Sequence, residues 1–280
     1  MTEPGDGGGA VPGCGDWEVR QGECNDPVSG LASLADLSVD VCITDPPYAE
    51  HVHAAQRRGQ MSRERPGSER AAFNRVRELG FAHLSDELRM EVARQLARVV
   101  RRWVLVFSDL ESHHLWRRDL ESFGLGHIRV GIWRKEGSTP QFTGDRPAVA
   151  AEALEIAHRP GRKRWNGGGE HAFWSVPIVL NRGAKKKRFH TTQKPEALME
   201  ALVRQFSEPG DLILDPFTGS GTTAVACRKL GRRFLGWERD EGYVAKARER
   251  IAGTAPQGEL FETTRQVVRE QIALFEAPDR

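Results

Sequence analysis

Residues 211–238 read DLILDPFTGSGTTAVACRKLGRRFLGWE. Leu212, Ile213 and Leu214 form a short continuous apolar run, the mark of a strand covered on both faces. Asp215-Pro216 closes it, and the turn that follows carries Gly219 and Gly221. Residues 222–230 have a helical pattern, and 233–238 read as a second strand. A strand, a turn, a helix and a strand in so few residues form a parallel unit, because parallel neighbours need a crossover between them.

The same alternation extends outward along the chain. Strands are expected at 17–22, 39–44, 103–108, 127–133, 153–158, 211–215 and 233–238, and helices at 85–101, 195–206, 222–230 and 241–252. In 85–101 the residues Leu88, Val92, Leu96, Val99 and Val100 recur at helical spacing behind Ser85, a suitable N-cap. Pro195 suits the first turn of the helix that ends before Pro209-Gly210. The expected fold class is α/β: a Rossmann-like, mostly parallel sheet of about seven strands with helices on both faces.

The chain has 280 residues, 39% hydrophobic and 29% charged, enough for one domain with a full core. No apolar run approaches the ~18 residues of a membrane span. The Gly-rich start has no apolar stretch, so residues 1–15 read as a flexible tail rather than a signal peptide. Four cysteines (Cys14, Cys24, Cys42 and Cys227) form no Cys-x-x-Cys pair, so neither a disulfide scaffold nor a cysteine-based metal site is expected. A reducing cytoplasm is the expected location.

Two segments interrupt the alternation. Residues 49–80 are polar and basic and contain Pro66-Gly67; residues 160–194 contain Gly167-Gly168-Gly169. From 159 to 194 there are ten basic residues against one acid, Glu170, and from 57 to 75 six arginines against two acids. The net charge of the whole chain is only +2, so the remainder is acidic. Cationic segments on an acidic body suit a polyanionic partner. The main domain is therefore placed at 16–252, with 49–80 and 160–190 inserted in it. Arg162, Lys163, Arg164, Lys185, Lys186, Lys187 and Arg188 are the candidate contacts to such a polyanion, the last four as phosphate contacts.

Three motifs carry chemistry. Thr44-Asp45-Pro46-Pro47-Tyr48 follows an apolar strand, and its prolines stiffen the turn. Asp45 is expected at the carboxyl end of that strand, where open α/β sheets place their ligands. Asp215-Pro216-Phe217-Thr218-Gly219-Ser220-Gly221-Thr222-Thr223 is a turn whose glycines let the backbone approach a ligand. Glu238, at the end of the next strand, can accept from ribose hydroxyls. Taken alone this second motif also satisfies a dinucleotide fingerprint, so NAD is a rival ligand. His190-Thr191-Thr192-Gln193-Lys194-Pro195 opens a helix, where Thr192 or Lys194 could meet a ligand carboxylate.

Together these motifs resemble the permuted β class of DNA amino-methyltransferases, in which an Asp-Pro-Pro-Tyr motif precedes the recognition region and the Phe-x-Gly-x-Gly motif comes near the C-terminus. The resemblance spans about residues 17–252 and includes Trp133-Arg134-Lys135, Thr192-Gln193-Lys194-Pro195, Gly236-Trp237-Glu238 and Tyr243. It implies S-adenosylmethionine as cofactor, held by Asp215, Phe217, Gly219, Ser220, Gly221, Thr222, Glu238, Thr192, Lys194 and Glu23. It implies a flipped base in double-stranded DNA, met by Asp45, Pro46, Pro47 and Tyr48. Where members carry Gly-Asp before a cysteine, this chain has Gly22-Glu23-Cys24. The Asp before Pro-Pro-Tyr favours adenine N6 over cytosine N4. Methylation of RNA or of protein glutamine usually goes with Asn-Pro-Pro-Tyr, which is absent. A DNA-binding module with a dead methyltransferase fold is the non-enzymatic alternative, and intact Asp45, Tyr48, Gly219 and Gly221 speak against it. No metal is implied.

Beyond Ala252, residues 253–258 read as a linker, and 253–280 as linker plus helix or docking peptide. Phe261, Val268, Ile272 and Phe275 have rough helical spacing, which suits packing on the domain or on a second copy in a homodimer. Gln271-Ile272-Ala273-Leu274-Phe275 resembles the short peptide by which bacterial DNA enzymes dock onto the replication sliding clamp.

Overall fold

A computed structural model of the chain describes residues 17–47, 84–138, 140, 142, 144–179 and 193–256. The expectations for the 1–15 tail, Tyr48, the 49–80 segment, Lys185–Arg188, Thr192 and the Gln271–Phe275 peptide lie outside the described residues.

One sheet of eight strands organises the rest. Its strands are β1 (Trp17–Gln21), β2 (Val39–Thr44), β3 (Val100–Ser108), β4 (Gly126–Glu136), β5 (Ala151–His158), β6 (Phe173–Pro177), β7 (Leu212–Asp215) and β8 (Arg233–Glu238). Their spatial order is β1-β8-β7-β2-β3-β5-β4-β6. Only β5 runs against its neighbours; the other pairings are parallel. The helices are α1 (Asp86–Val99), α2 (His113–Ser122), α3 (Glu196–Phe206), α4 (Thr222–Lys229) and α5 (Glu241–Ala252).

Alternation along the strands divides the core between the two faces. Val41, Ile43, Trp103, Leu105 and Phe107 bury toward α3, α4 and α5. Cys42, Val104, Val106, Leu214 and Leu235 bury toward α1 and α2. A register shift between Val39 and Val41 puts Val39 on the second face although its spacing belongs to the first. The expected mostly parallel sheet with helices on both faces is observed, with eight strands rather than about seven.

The differences have physical causes. Helix α1 is capped by Ser85, whose side chain accepts from the Leu88 N–H at 3.2 Å. It ends at Val99 rather than at residue 101, because Val100 is already extended and begins β3. Helix α2 escapes a periodicity search because its buried face is Trp116, Asp119 and Leu120. The buried acid is satisfied by Arg89 of α1, whose Nε lies 2.7 Å from Asp119 Oδ2. Strand β6 falls inside the segment expected to be irregular. It is short, ends at Pro177 and joins the sheet at its edge, where proline is tolerated. Residues 173–177 of the expected 160–190 insertion are thus a strand of the sheet.

Candidate active site

The carboxyl ends of β1, β8, β7 and β2 lie side by side, and the motifs meet there. Strands β2 and β7 pair through Val41 with Ile213 and Cys42 with Leu214. Thr44 Oγ1 donates to Asp215 Oδ1 at 2.8 Å, and the Phe217 N–H donates to the same oxygen at 3.1 Å. Thr223 Oγ1 donates to Asp215 Oδ2 at 2.7 Å, tying in α4. Burial pushes the Asp215 carboxyl up to about 6, against the pull of these three hydrogen bonds. One oxygen of Asp215 thus joins β7 to β2 and the other joins it to α4.

The glycine turn is folded back on β8. The Thr218 N–H donates to the Trp237 carbonyl at 2.9 Å, and the Gly219 N–H to Glu238 Oε2 at 2.9 Å. This approach requires Gly236, where a Cβ would stand 2.1 Å from Thr218 Oγ1 and 2.7 Å from the Asp215 carbonyl oxygen. Gly219 and Gly221 have φ of 53° and 74°. Ser220 and Thr222 are buried, and both are bonded by Arg250 of α5. Phe217 and Gly219 are the partly exposed members of the turn. Glu238 Oε1 accepts from the Asp240 N–H at 2.8 Å, so this acid braces the turn with one oxygen and the start of α5 with the other. Glu23, in the loop after β1, is exposed and lies 3.8 Å from Arg239.

Asp45 sits just beyond β2. Its Oδ2 is 2.6 Å from Lys194 Nζ, while its Oδ1 is buried without a hydrogen-bond partner. Lys194 also lies 3.0 Å from Glu152 Oε2, and Glu152 Oε1 is 2.6 Å from Lys135 Nζ. The Lys194 ammonium is 4.8 Å from the Phe107 ring centroid. Burial works against the charge on Lys194, but the carboxylates of Asp45 and Glu152 outweigh it and raise its pKa. Burial raises Asp45 too, and the Lys194 charge opposes that shift. Lys194, expected at a cofactor carboxylate, is here engaged with the acid of the other motif.

The sequence reading missed Glu152. No spacing rule marks it, since it is one acid in the antiparallel strand β5, and only the sheet order brings it opposite Asp45. It also missed Asp109, which follows β3 beside Pro47. Asp109 Oδ1 accepts from the N–H groups of Glu111 and Ser112, and Oδ2 is buried without a partner.

The basic residues divide. Arg162, Lys163 and Arg164 are exposed, but they follow the end of β5, where His158 pairs with Trp103 near the start of β3. Trp103 Nε1 donates to the Arg164 carbonyl at 2.6 Å. Because β5 is antiparallel, these three cations stand at the amino edge of the sheet, opposite Asp45, and the structure does not bring them to the crevice. The exit from β6 at Pro177 lies at the carboxyl edge, beside Glu136.

Cys24, Cys42 and Cys227 are buried. Burial pushes the Cys24 thiol up to about 12 and raises the other two, which disfavours a thiolate nucleophile. Among the described residues no cluster of His, Cys, Asp or Glu could hold a metal, and no helix is long and apolar enough to cross a membrane.

Known proteins match this arrangement. The N6/N4 DNA methylase family model matches residues 39–249. The Type II methyltransferase M2.DpnII of Streptococcus pneumoniae is 50% identical over 244 residues, covering 81% of this chain and 87% of that one. The Type II methyltransferase M.HinfI of Haemophilus influenzae is 26% identical over 261 residues, covering 85% and 69%. In fold, the chain is similar to an M1.HpyAVI–SAM complex, with a TM-score of 0.61 at 22% identity, covering 84% and 98%. It is similar also to the cytosine-N4-specific PvuII DNA methyltransferase, with a TM-score of 0.63 at 14% identity, covering 84% and 86%. The family match takes in the Asp-Pro-Pro turn, the glycine turn and the strand pair that joins them, and the chain belongs to the N6/N4 family of DNA methylases.

Proposed function

We propose that this DNA methylase belongs to the permuted β class and methylates the N6 amine of a flipped-out adenine in double-stranded DNA. The observation that carries the reading is Asp45: an acid with one oxygen held by Lys194 and the other buried without a partner, beside the junction of β2 and β7. A buried acceptor left open is costly unless a donor arrives. An exocyclic amine has two N–H groups to offer.

The glycine turn fits the cofactor. Gly219 and Phe217 face outward, and a Cβ at Gly219 would meet nothing closer than 4.0 Å, so the backbone leaves room. Glu238 at the end of β8 and the exposed Glu23 after β1 would offer carboxylate oxygens to the ribose hydroxyls and the adenine amine of the cofactor. When bound, S-adenosylmethionine supplies the methyl group on a sulfonium that leaves as a neutral thioether.

The chain's own contribution is positioning. A base inside a duplex cannot reach this crevice, and flipping it costs a few kcal/mol. Tyr48 returns part of that by stacking, about 1–3 kcal/mol for one base–aromatic contact. Asp45 Oδ1 accepts one amine N–H and the Pro46 carbonyl the other, which aims the nitrogen lone pair. The stiff double proline keeps the two acceptors at fixed separation, and holding reactants in line is the main source of rate. The amine proton released after methylation has Asp45 as its nearest acceptor.

The likeness to Type II methyltransferases supports a place in a restriction–modification pair acting in a bacterial cytoplasm. The deciding experiment incubates the protein with unmethylated DNA and labelled S-adenosylmethionine, then digests the product to nucleosides. Label co-eluting with N6-methyldeoxyadenosine supports the reading; label at N4-methyldeoxycytidine moves it to the alternative amine. Titration calorimetry with S-adenosylmethionine and with NAD separates an oxidoreductase.

A further inference from the structure

Four charged side chains from four different segments, Asp45 among them, form one chain of contacts. They are Asp45 after β2, Glu152 on β5, Lys135 on β4 and Lys194 ahead of α3. The chain of contacts runs Asp45 to Lys194 at 2.6 Å, Lys194 to Glu152 at 3.0 Å, and Glu152 to Lys135 at 2.6 Å. The side chain of Lys194 is 7% exposed and that of Glu152 10%, whereas Lys135 reaches solvent at 23%. Phe107 and Trp133 wall the Lys194 ammonium at 4.8 and 5.8 Å. An ammonium so enclosed has little water to choose from, and its direction is set by the two carboxylates.

We propose that Lys194 is the positioning residue of the Asp45 carboxylate, and that Glu152, braced by Lys135, keeps Lys194 charged and aimed. This rests on the reading of Asp45 as the acceptor of the target amine. Lys194 has two effects. Pinning Oδ2 fixes the rotation of the carboxylate, so that Oδ1 is the oxygen left for the amine. Its positive charge keeps Asp45 ionised in a site where burial favours the neutral acid, and a neutral acid would offer the amine a poorer acceptor. Glu152 adds a second carboxylate to that of Asp45, which helps to hold the proton on a buried ammonium and fixes its direction. Among the described residues the charged groups facing Lys194 are Asp45 and Glu152; Lys135 lies beyond Glu152 and acts on Asp45 at longer range, and Asp45 in turn raises Asp215 on β7. This differs from holding a cofactor carboxylate, which the same lysine was expected to do from sequence.

The test uses the full chain with Lys194→Met, Lys194→Arg and Glu152→Gln, each checked for folding by thermal unfolding. Single-turnover methylation of unmethylated DNA is followed against pH, and S-adenosylmethionine affinity is measured by calorimetry. Lys194→Met should lower the rate at least a hundredfold, leave cofactor affinity within threefold, and move the acid limb of the rate profile upward by a unit or more. Lys194→Arg should recover part of the rate. Glu152→Gln removes the charge that holds the proton on Lys194, so the alkaline limb should move downward. If Lys194→Met loses cofactor affinity tenfold or more with its acid limb unmoved, Lys194 belongs to the cofactor and the proposal fails while the methyltransferase reading stands. If the rate falls equally at every pH in both variants, the cluster is only structural and the proposal also fails. Normal methylation by Asp45→Ala would instead overturn the reading on which the proposal rests.

Discussion

Thr44 and Asp215 stand 171 positions apart in the chain, and their side chains share a hydrogen bond of 2.8 Å. The bond joins the last residue of β2 to the last residue of β7, so the Asp-Pro-Pro turn and the glycine turn leave the sheet from one anchored point. Sequence order is irrelevant to that adjacency. A chain in which the acidic turn comes first and the glycine turn last makes the same crevice, because the sheet order β8-β7-β2-β3 sets the neighbours.

Asp215 should make stability depend on pH. Its folded pKa of about 6 lies above the ordinary aspartate value of about 3.9. The folded chain therefore binds this proton more tightly than the unfolded chain. The stabilisation it brings is fully present below about pH 4 and is lost as pH rises through about 6. The shift corresponds to roughly 1–3 kcal/mol. Asp215→Asn should keep the shape and remove the titration. Urea midpoints of both proteins at pH 5 and pH 7.5 check this: the wild type should lose more stability between them than the variant. Parallel losses would show that Asp215 does not titrate there.

Asp45→Ala should abolish methyl transfer while leaving the cofactor bound, because Asp45 Oδ2 is held by Lys194 and Oδ1 is left open for the proposed target amine, away from the hydrogen bonds that shape the glycine turn. A loss of at least 10³-fold in rate, about 4 kcal/mol of barrier, is expected. Tyr48→Ala should lose rate through poorer capture of the base, and Tyr48→Phe or Tyr48→Trp should retain part of it. Rapid-quench methylation and calorimetry with S-adenosylmethionine separate the two effects. Near-normal turnover in Asp45→Ala would contradict the assignment.

The parts legible in the sequence were those with local signatures. Leu212–Leu214, the Ser85 cap and the glycine turn each announce themselves within a few residues, and each is where it was expected. Helix α2 was hidden because Asp119 occupies a buried position by pairing with Arg89 of α1, a contact made thirty positions away. Glu152 was hidden for a related reason: its meaning comes from strand order. The direction of β5 also decided the location of Arg162–Arg164. Charge can be counted along a sequence, but which edge of the sheet it reaches depends on whether one strand runs up or down.

Gly236→Ala should weaken the cofactor site without touching the acidic turn. The added methyl group would press on Thr218 Oγ1 at 2.1 Å and on the Asp215 carbonyl oxygen at 2.7 Å. Since the second is backbone, the turn must move. Overpacking of this kind costs about 1–3 kcal/mol. Affinity for S-adenosylmethionine should fall tenfold or more, measured by calorimetry at a temperature where the variant remains folded. Unchanged affinity would show that the turn tolerates displacement.

The two basic clusters should differ in what they do to DNA. Replacing Arg162, Lys163 and Arg164 by Ser should change DNA affinity by less than threefold, since they stand at the amino edge of the sheet. Replacing Lys185, Lys186, Lys187 and Arg188 should weaken binding to every sequence alike. Each phosphate no longer neutralised by a cation reduces the slope of log affinity against log salt by about 0.9. Fluorescence anisotropy at several salt concentrations checks both. A smaller slope in the first variant and not in the second would place the duplex across the opposite edge.

The C-terminal segment carries the last prediction. Gln271-Ile272-Ala273-Leu274-Phe275 follows a linker-like stretch at 253–258. As a docking peptide it would place Leu274 and Phe275 in an apolar pocket, with Gln271 at the rim, and a few buried anchors would carry the affinity. The tether would raise the local concentration of the catalytic domain on DNA without any new contact to the bases. As a packed amphipathic helix, the same two residues would bury against the domain or a second copy instead. Leu274→Ala with Phe275→Ala separates the cases. Docking predicts that a 266–280 peptide binds purified sliding clamp, that the double variant does not, and that its thermal midpoint is unchanged. Packing predicts the reverse: a lower midpoint, because two large apolar side chains leave a core at about 2–5 kcal/mol each, and a peptide that ignores the clamp. A lowered midpoint that recovers with protein concentration in the wild type would assign the segment to a dimer.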